Sequence, residues 1–465
     1  MQPAPHPRRW TALAVIALAQ LVVIMDTSII GVALPDVQAE LGFTPESLSW
    51  VFNAYVVAFG GLLLLGGRLS DLLGAKRLFT AGWAVLAAGS LAAGLAGSVE
   101  AEIAARAVQG AGAALIAPSA LTLLMTLFGH EPRELTKALA IYGAAAPAGG
   151  TAGVFLGGVI TEWIDWPWVF WVNVPIALVV LVLTPGLMPS AAARRGSVDW
   201  AGAVTATAGL ALTVLGVVRA PEEGWGATAT VVTIGGGVVL LALFVALQAA
   251  RSEPLMRLGV FRMPNVAGAN VAQLLLGGAW IPMWFFLNLY LQQVLGFGAF
   301  ASGAALLPMT AAIMLLMVVV APRVIAAFGP KLPTVAGLLV LAAGLAVLSL
   351  VRPSGSFAVD VLPASLIAAT GMALAFIPSL GTAISSVRAE EGGLAAGIVN
   401  TSYQVGSALG LAAMTALASA QGADRLGDPG ALTDGYSAAF LGVAGIAAVG
   451  ALLAAAMLRV PRPAR

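Results

Sequence analysis

Long apolar stretches separated by short polar segments recur along the whole chain, and they limit the fold more than any other feature. A helix needs about 20 apolar residues to cross the hydrocarbon core of a bilayer. Lipid offers the backbone no hydrogen-bond partner, so each stretch is predicted to be a helix. We therefore predict an all-α polytopic membrane protein with 14 transmembrane helices. The predicted spans lie near 10–34, 46–66, 78–98, 102–128, 137–160, 166–188, 199–218, 227–250, 264–295, 299–321, 333–351, 358–382, 392–420 and 437–458.

Composition excludes other broad classes. Hydrophobic residues make up 60% of the chain and charged residues 9%, against about 25% charged residues in a soluble domain. An outer-membrane barrel would show alternating polarity, which these stretches lack. The net charge is +1 and there is no cysteine. Disulfides and thiol catalysis are thus excluded, and no basic stripe indicates a nucleic-acid partner.

The distribution of Lys and Arg predicts the orientation. With a cytoplasmic N-terminus, only three of the 22 basic residues fall on outside loops and one, Arg106, lies within a span. The positive-inside rule puts the others on cytoplasmic segments. We expect a multi-pass protein of the cell membrane with both termini cytoplasmic. The inside segments include Arg194, Arg195, Arg388, Arg462 and Arg465, and the outside loops carry Arg219, Arg352 and Arg425.

The basic N-terminus followed by an apolar stretch could also be a signal peptide. The stretch from Trp10 to about Pro35 is too long for one and has no cleavage site. We expect it to remain as the first span.

The loop after the second span is repeated after the tenth. Residues 67–76 and 322–331 share Arg, Gly and Lys in register, at an offset of 255 residues. Chance similarity between two basic loops is the alternative. Related halves are one architecture of secondary transporters. We predict a six-helix bundle over 1–188, two inserted transmembrane helices with linkers over 189–258, and a second six-helix bundle over 259–465.

Four motifs carry a family resemblance. Residues 67–77 resemble a signature G-x-L-x-D-x-x-G-x-[RK]-[RK] between spans 2 and 3, and residues 106–113 match a fourth-span motif R-x-x-Q-G-x-G. Residues 25–35 resemble a first-span motif, from which Met25 and Gly31 depart. The fifth span carries a glycine motif in which Val154 replaces a proline; Gly143 and Pro147 lie earlier in that span. The chain resembles the major facilitator superfamily, in its fourteen-span drug:proton antiporter branch.

The resemblance implies a proton-coupled antiporter that exports lipophilic small molecules or drugs by alternating access. It assigns proton coupling to Asp26 and Arg106. By helix rise, Asp26 lies about 24 Å from the cytoplasmic face and Arg106 about 6 Å from the outer face, so the two could meet. A permanent ion pair that joins spans 1 and 4 is the alternative. The glycines that keep the packing of the fifth-span motif are Gly149, Gly153, Gly157 and Gly158.

In the superfamily, the acid at Asp71 docks near a helix end of the opposite half and holds the cytoplasmic side shut. Ordinary positive-inside anchoring is the alternative for the basic residues beside it, although an acid adds nothing to that rule. The repeat copy has Ala326 at this position, so the latch would be one-sided. The predicted latch comprises Gly67, Arg68, Asp71, Gly74, Lys76 and Arg77.

Polar and aromatic residues within spans are candidates for lining a substrate cavity. An interhelical hydrogen bond or a place in the interfacial belt is the alternative role for each. Asn400, Tyr403 and Gln404 share one helix face and precede Gly406 and Gly410, a close-packing pair. The candidates are Asn53, Tyr55, Gln109, Asn173, Gln273, Trp284, Asn288, Tyr290, Asn400, Tyr403 and Gln404.

Other functions fit the sequence less well. A facilitator or symporter for a small polar metabolite would need polar groups in both halves, and a receptor or scaffold would usually bring a soluble domain. We expect no enzyme activity, no metal, no cofactor beyond a proton gradient, and a monomer in the lipid bilayer. By these spans Asp26 is the only acid well inside the membrane, which favours neutral, weakly acidic or monocationic substrates. Asp360, Glu102 and Asp199 are placed at span ends.

Overall fold

The computed structural model describes residues 8–129, 131–189, 197–387 and 392–459. These residues form helices and loops and no strand, so the all-α prediction is confirmed. Both histidines and the basic residues Arg194, Arg195, Arg388, Arg462 and Arg465 lie outside the described residues.

Sixteen α-helices occur in the described residues, joined by short loops and a few 3₁₀ or π turns. The first bundle contains α1 (Arg9–Leu41), α2 (Trp50–Leu73), α3 (Ala75–Ala93), α4 (Val99–Phe128), α5 (Pro132–Trp163), α6 (Trp168–Trp171) and α7 (Asn173–Leu187). Two central helices follow, α8 (Trp200–Glu223) and α9 (Thr228–Ala250). The second bundle contains α10 (Val266–Leu289), α11 (Ala299–Leu315), α12 (Ala321–Phe328), α13 (Lys331–Leu348), α14 (Leu362–Ser385), α15 (Gly392–Ala418) and α16 (Pro429–Met457).

Twelve helical segments of the described chain are long and apolar enough to cross a membrane. Helices α3 and α15 are not among them but lie where the third and thirteenth spans were predicted. The count of 14 therefore stays a prediction. Several bounds differ from the predicted ones: α1 continues past Pro35 to Leu41, and α16 begins at Pro429, well before residue 437.

The two bundles repeat the same packing. In the first, α1 packs on α5, α4 on α2 and α3, and α7 on α3. In the second, α10 packs on α15, α14 on α11 and α13, and α16 on α13. The repeated loops also share a backbone feature, because Gly74 and Gly329, 255 residues apart, have φ values of 91° and 71°. Glycine adopts positive φ without steric cost, so the repeat in sequence is a repeat in conformation.

The central helices pack against each other, and α8 also lies against α2 and α15. Small residues allow this approach: a methyl group built on Gly61 would lie 2.6 Å from the Thr207 hydroxyl oxygen. Helix α9 is the least buried of the candidate spans, with 11% of its most apolar window buried. An apolar helix so exposed faces lipid rather than protein.

Contacts between the bundles occur at the end where α1 ends. Trp163 of α5 stacks on Phe300 of α11 with ring centroids 4.9 Å apart. The Gln292 Nε2 donates to the carbonyl oxygen of Val32 at 2.8 Å. Midway along the helices, Gly60 of α2 lies against the side chain of Gln404 of α15. In this conformation the bundles are therefore in contact at the end that the charge distribution predicts to be outside, and also along α2 and α15.

Candidate functional site

A buried ion pair joins α1 to α4. The Arg106 Nη1 donates to the Asp26 Oδ2 at 2.7 Å, and neither side chain has any exposed surface. The two residues predicted to meet from their depth in the membrane are thus in direct contact.

Three further side chains surround the Asp26 carboxylate. The Asn173 Nδ2 donates to Asp26 Oδ1 at 2.7 Å, and the Gln109 Nε2 donates to the same oxygen at 3.1 Å. The Ser90 hydroxyl accepts from Gln109 at 2.8 Å and so fixes that amide. Donors from α4 and α7 thus converge on one acid of α1. Hydrogen bonds of this kind stabilise the charged form of a carboxylate.

The Arg106 guanidinium is held on several sides. Its Nε donates to the Val51 carbonyl oxygen at 2.8 Å, and Nη1 also donates to the Gln109 Oε1 at 2.7 Å. The Tyr55 and Phe170 rings lie 4.7 Å and 5.6 Å from the guanidinium carbon, close enough for cation–π attraction. The Nη2 atom has no hydrogen-bond partner among the described residues. One donor of Arg106 therefore remains free in this conformation.

Glu102 lies close to the end of its span, as predicted, but it points into the bundle. Helix α4 begins at Val99, with Ser98 as its N-cap, so Glu102 lies inside the first turn. Its side chain is fully buried, and both carboxyl oxygens lack a hydrogen-bond partner among the described residues. The helix begins three residues before the predicted bound of 102, and the burial of this acid was not predicted. The i, i+4 spacing to Arg106 was the available signal.

A row of glycines brings α5 against α1 on both sides of Asp26. Methyl groups built on Gly149, Gly153 and Gly157 would lie 2.3, 2.8 and 2.6 Å from the backbone carbonyl oxygens of Leu21, Met25 and Ile29. No side chain fits at such distances, so the two backbones touch over two helical turns. The opposite side of α5 meets α11, where Gly158 and the buried Val154 lie against the backbone of α11.

The predicted latch loop contacts other segments in this conformation. The Arg68 Nη2 donates to the Glu253 Oε2 at 2.6 Å, which links α2 to the segment after α9. Hydrogen bonds from the backbone and hydroxyl of Ser197, together with Arg68, lower the pKa of Glu253. The Lys76 Nζ donates to the Pro185 carbonyl oxygen in α7 at 2.7 Å.

Asp71 makes none of these contacts. It is exposed and has no hydrogen-bond or ion-pair partner within the described part of the chain. Arg77 is exposed as well, while Gly74 joins α2 to α3 at its positive φ and Gly67 packs loosely near Pro118.

Several of the residues predicted to line a substrate cavity instead make hydrogen bonds within one bundle. Tyr55, Gln109 and Asn173 belong to the cluster around Asp26 and Arg106. The Tyr290 hydroxyl donates to the Arg352 carbonyl oxygen at 2.8 Å, at the end of the second bundle. The Gln273 amide donates to Ser379 at 2.9 Å between α10 and α14. Tyr55, Gln109, Asn173 and Gln273 thus make interhelical hydrogen bonds, one of the alternative roles, whereas Tyr290 bonds to the loop after α13.

Other candidates lie between the bundles. Asn288 of α10 faces Gly31 of α1, where a methyl group would lie 3.0 Å from its amide nitrogen. The Asn288 Nδ2 donates to the Trp284 carbonyl oxygen at 2.9 Å, and its Oδ1 has no described partner. Both amide atoms of the buried Asn53 likewise lack a partner in the described residues.

The three cavity candidates of α15 have different surroundings. Gln404 lies against Gly60 across the bundle interface. Tyr403 packs on Phe376 within the second bundle with ring centroids 5.7 Å apart, and Asn400 is half-buried. Gly406 and Gly410 bring α15 against the backbone of α10.

Comparison with known proteins identifies the family. The sequence profile described as Major Facilitator Superfamily matches residues 16–411. The chain belongs to the major facilitator superfamily. The predicted family is thereby confirmed.

Relatives within the superfamily include antibiotic exporters. The chain is 41% identical to the cephamycin export protein of Amycolatopsis lactamdurans over 93% of its own length and 89% of that protein. It is 36% identical to the puromycin resistance protein of Streptomyces alboniger, over 98% and 91% of the two chains. A crystal structure of the nucleoside transporter NupG superposes with a TM-score of 0.67 at 13% identity, covering 97% and 99% of the two chains. This last likeness shows the fold alone.

Proposed function

We propose that this protein is a proton-coupled antiporter that exports lipophilic small molecules, antibiotics among them, across the cytoplasmic membrane. The observation that carries the proposal is the buried Asp26–Arg106 pair with its convergent donors. Intramembrane ionisable residues are costly and usually functional. The names of the relatives, a cephamycin export protein and a puromycin resistance protein, support the direction of transport and the class of substrate.

Asp26 is the group that would carry the proton. With Arg106, Gln109 and Asn173 bound to it, the carboxylate form is stabilised and the proton is released. When α1 moves relative to α4 and α7, these donors separate and a buried carboxylate without partners takes up a proton. Proton occupancy of Asp26 would thus depend on the conformation of the bundle, which coupled transport requires.

Alternating access would use the bundle interface. The contacts of Trp163 with Phe300 and of Gln292 with Val32 close the outer end in this conformation. Asp71 is unpartnered within the described residues at the opposite end. We propose that Asp71 docks on the other bundle when the cytoplasmic end closes and these outer contacts separate.

Asn288 and Gln404, which lie against glycines of the opposite bundle, are neutral amides, and so is the buried Asn53 of α2. Asn53, Asn288 and Gln404 can donate or accept hydrogen bonds but cannot neutralise a cation. The buried acids Asp26 and Glu102 lie within the first bundle and contact or face Arg106. We therefore propose a preference for neutral, weakly acidic or monocationic compounds over dications.

We propose that the protein is a monomer in the cell membrane, with both termini in the cytoplasm and no cofactor beyond the proton gradient. Inverted membrane vesicles with an imposed proton gradient test it. A neutral dye, the monocation ethidium and a dicationic antiseptic are compared in vesicles with the wild-type protein and in vesicles without it. We expect gradient-driven accumulation of the first two, abolished by a protonophore. Accumulation that is unchanged by the protonophore would overturn proton coupling. Strong uptake of the dication would overturn the charge preference.

A further inference from the structure

Glu102 is a buried acid that the pair of Asp26 and Arg106 leaves without a partner. It lies on the same face of α4 as Arg106, one turn closer to the end of the bundle where α1 ends. Residues at this spacing have Cβ atoms about 5–6 Å apart. The free Nη2 of Arg106 and both free oxygens of Glu102 thus occur on neighbouring turns of one helix.

The charges of the cluster decide the protonation of Glu102. The charged groups that interact with it are Arg106 and Asp26, and these already form a neutral pair at 2.7 Å. The other titratable side chain beside Arg106 is Tyr55 of α2. A second carboxylate here would leave one uncompensated negative charge away from water, which costs several kcal/mol or more. In this conformation Glu102 therefore holds a proton.

We propose that Glu102 is a second proton-carrying residue, which passes its proton to Asp26 and then replaces Asp26 as the partner of Arg106. The O–H bond of Glu102 breaks, an O–H bond forms on Asp26, and the guanidinium stays positive throughout. One proton and one ion pair are present before and after the step, so the buried charge does not change. This inference rests on the proposed proton coupling, and it names Glu102 as the residue that receives the proton before Asp26 does.

The position of Glu102 fits the entry side of the proton path. It lies near the start of α4, at the end where Trp163 meets Phe300 and where the charge distribution predicts the outside. An exporter driven by an inward proton gradient takes protons from that side. Glu102 would load first, and Asp26 deeper in the bundle would receive the proton next.

Glu100 supplies the matched control. It is the same residue type in the same first turn of α4, but it is exposed. Glu102→Gln and Glu100→Gln remove one carboxyl group each, with little change of shape. In infrared difference spectra of the purified full chain, we expect the carbonyl-stretching band of a buried protonated carboxyl group in the wild type and in Glu100→Gln. We expect that band to be absent in Glu102→Gln.

Asp26→Asn gives the sharper spectroscopic test. An asparagine imitates protonated Asp26, so Arg106 needs Glu102 as its partner, and the protonated band should disappear although Glu102 is still present. A Glu102 that cannot pair with Arg106 would keep its proton in this variant. A band that persists in Asp26→Asn, or that is unchanged in Glu102→Gln, overturns the proposal.

Transport separates this inference from the proposed function. In proton-loaded vesicles we expect Glu102→Gln to slow gradient-driven ethidium transport by about a hundredfold, the low end for a positioned proton-transfer group. Glu100→Gln should transport as the wild type does, and Glu102→Asp should recover part of the rate. Wild-type protein without proton-driven transport would contradict the proposed function, whereas equal rates for Glu102→Gln and Glu100→Gln would contradict only the relay.

Discussion

The two bundles share one framework but differ in what they bury. In the first bundle, helices α1, α3, α4 and α7 enclose Asp26, Arg106 and Glu102 without exposed surface. At the positions 255 residues later, Ile281 and Val361 replace Asp26 and Arg106. The described ion pair of the second bundle, Arg352 with Asp360, lies at its end with the Arg352 side chain 61% exposed.

This difference indicates a division of roles between two bundles of the same architecture. Buried charge is expensive, so it is kept where it changes state during function. The second bundle instead buries neutral groups such as Gln273 and Asn288, whose hydrogen bonds do not change with protonation. We infer that proton chemistry occurs in the first bundle and that the second provides a movable partner surface.

The largest expected effect comes from removing the titratable group of the first bundle. Asp26→Asn should lower gradient-driven efflux by about two orders of magnitude or more, because a positioned proton-transfer group is lost. Downhill exchange of substrate should continue. Asp36→Asn, the same change at an exposed site of the same helix, is the control. Transport assays in vesicles measure both, and normal accumulation by Asp26→Asn would remove Asp26 from the coupling role.

The second test compares the ion pairs of the two bundles. Arg106→Gln leaves Asp26 buried without its counter-charge and should lower the free energy of unfolding by about 3–5 kcal/mol. Arg352→Gln breaks an exposed pair, which contributes little to stability, and should leave the free energy of unfolding nearly unchanged. Tryptophan fluorescence during denaturant unfolding in detergent measures both. The double variant Asp26→Asn, Arg106→Gln should recover part of the loss, and a double variant as unstable as Arg106→Gln would contradict this account.

The third test concerns the glycine contacts that both bundles use. A methyl group on Gly153 would lie 2.8 Å from the Met25 carbonyl oxygen, and one on Gly406 1.8 Å from the Leu274 carbonyl oxygen. Alanine at either position should lower stability by about 1–3 kcal/mol through overpacking. Gly150→Ala should be neutral or slightly stabilising, because its methyl group would meet nothing closer than 3.8 Å. If Gly153→Ala unfolds as the wild type does, the helices are less closely packed than described.

The smallest effect is expected at the predicted latch. Asp71→Asn should shift the protein toward the conformation in which the bundles are joined at the outer end. The change should be about fivefold in population, the low end of coupling free energies. Because the chain lacks cysteine, a single Leu64→Cys on α2 reports access to the interface near Gly397. Labelling should rise with Asp71→Asn and stay constant with Asp36→Asn; an unchanged rate in Asp71→Asn would rule out the latch.

Sequence patterns predicted helix positions better than helix faces. Asp26 and Arg106 were found because charge within an apolar stretch is rare and because helix rise fixes depth. Tyr55 and Gln109 were predicted to line a cavity, yet they surround Arg106. A membrane helix is apolar toward lipid and toward protein, so periodicity does not show which face meets a neighbour. Ser90 was missed for the same reason. The burial of Glu102 was missed because helix ends are the part of a helix that sequence predicts least accurately.

Helix α5 contacts α1 of its own bundle on one side and α11 of the opposite bundle on the other. On the glycine side, the backbone of α5 touches that of α1 from Leu21 to Ile29. Because the two helices are in backbone contact over this length, we expect them to move as one rigid unit. On the other side, the Trp163 ring stacks on Phe300, the Phe155 ring meets Phe300 edge-on, and Gly158 lies against the backbone of α11. Under the proposed proton coupling, a displacement of α1 would move α5 with it and so act on α11 of the opposite bundle through direct contacts.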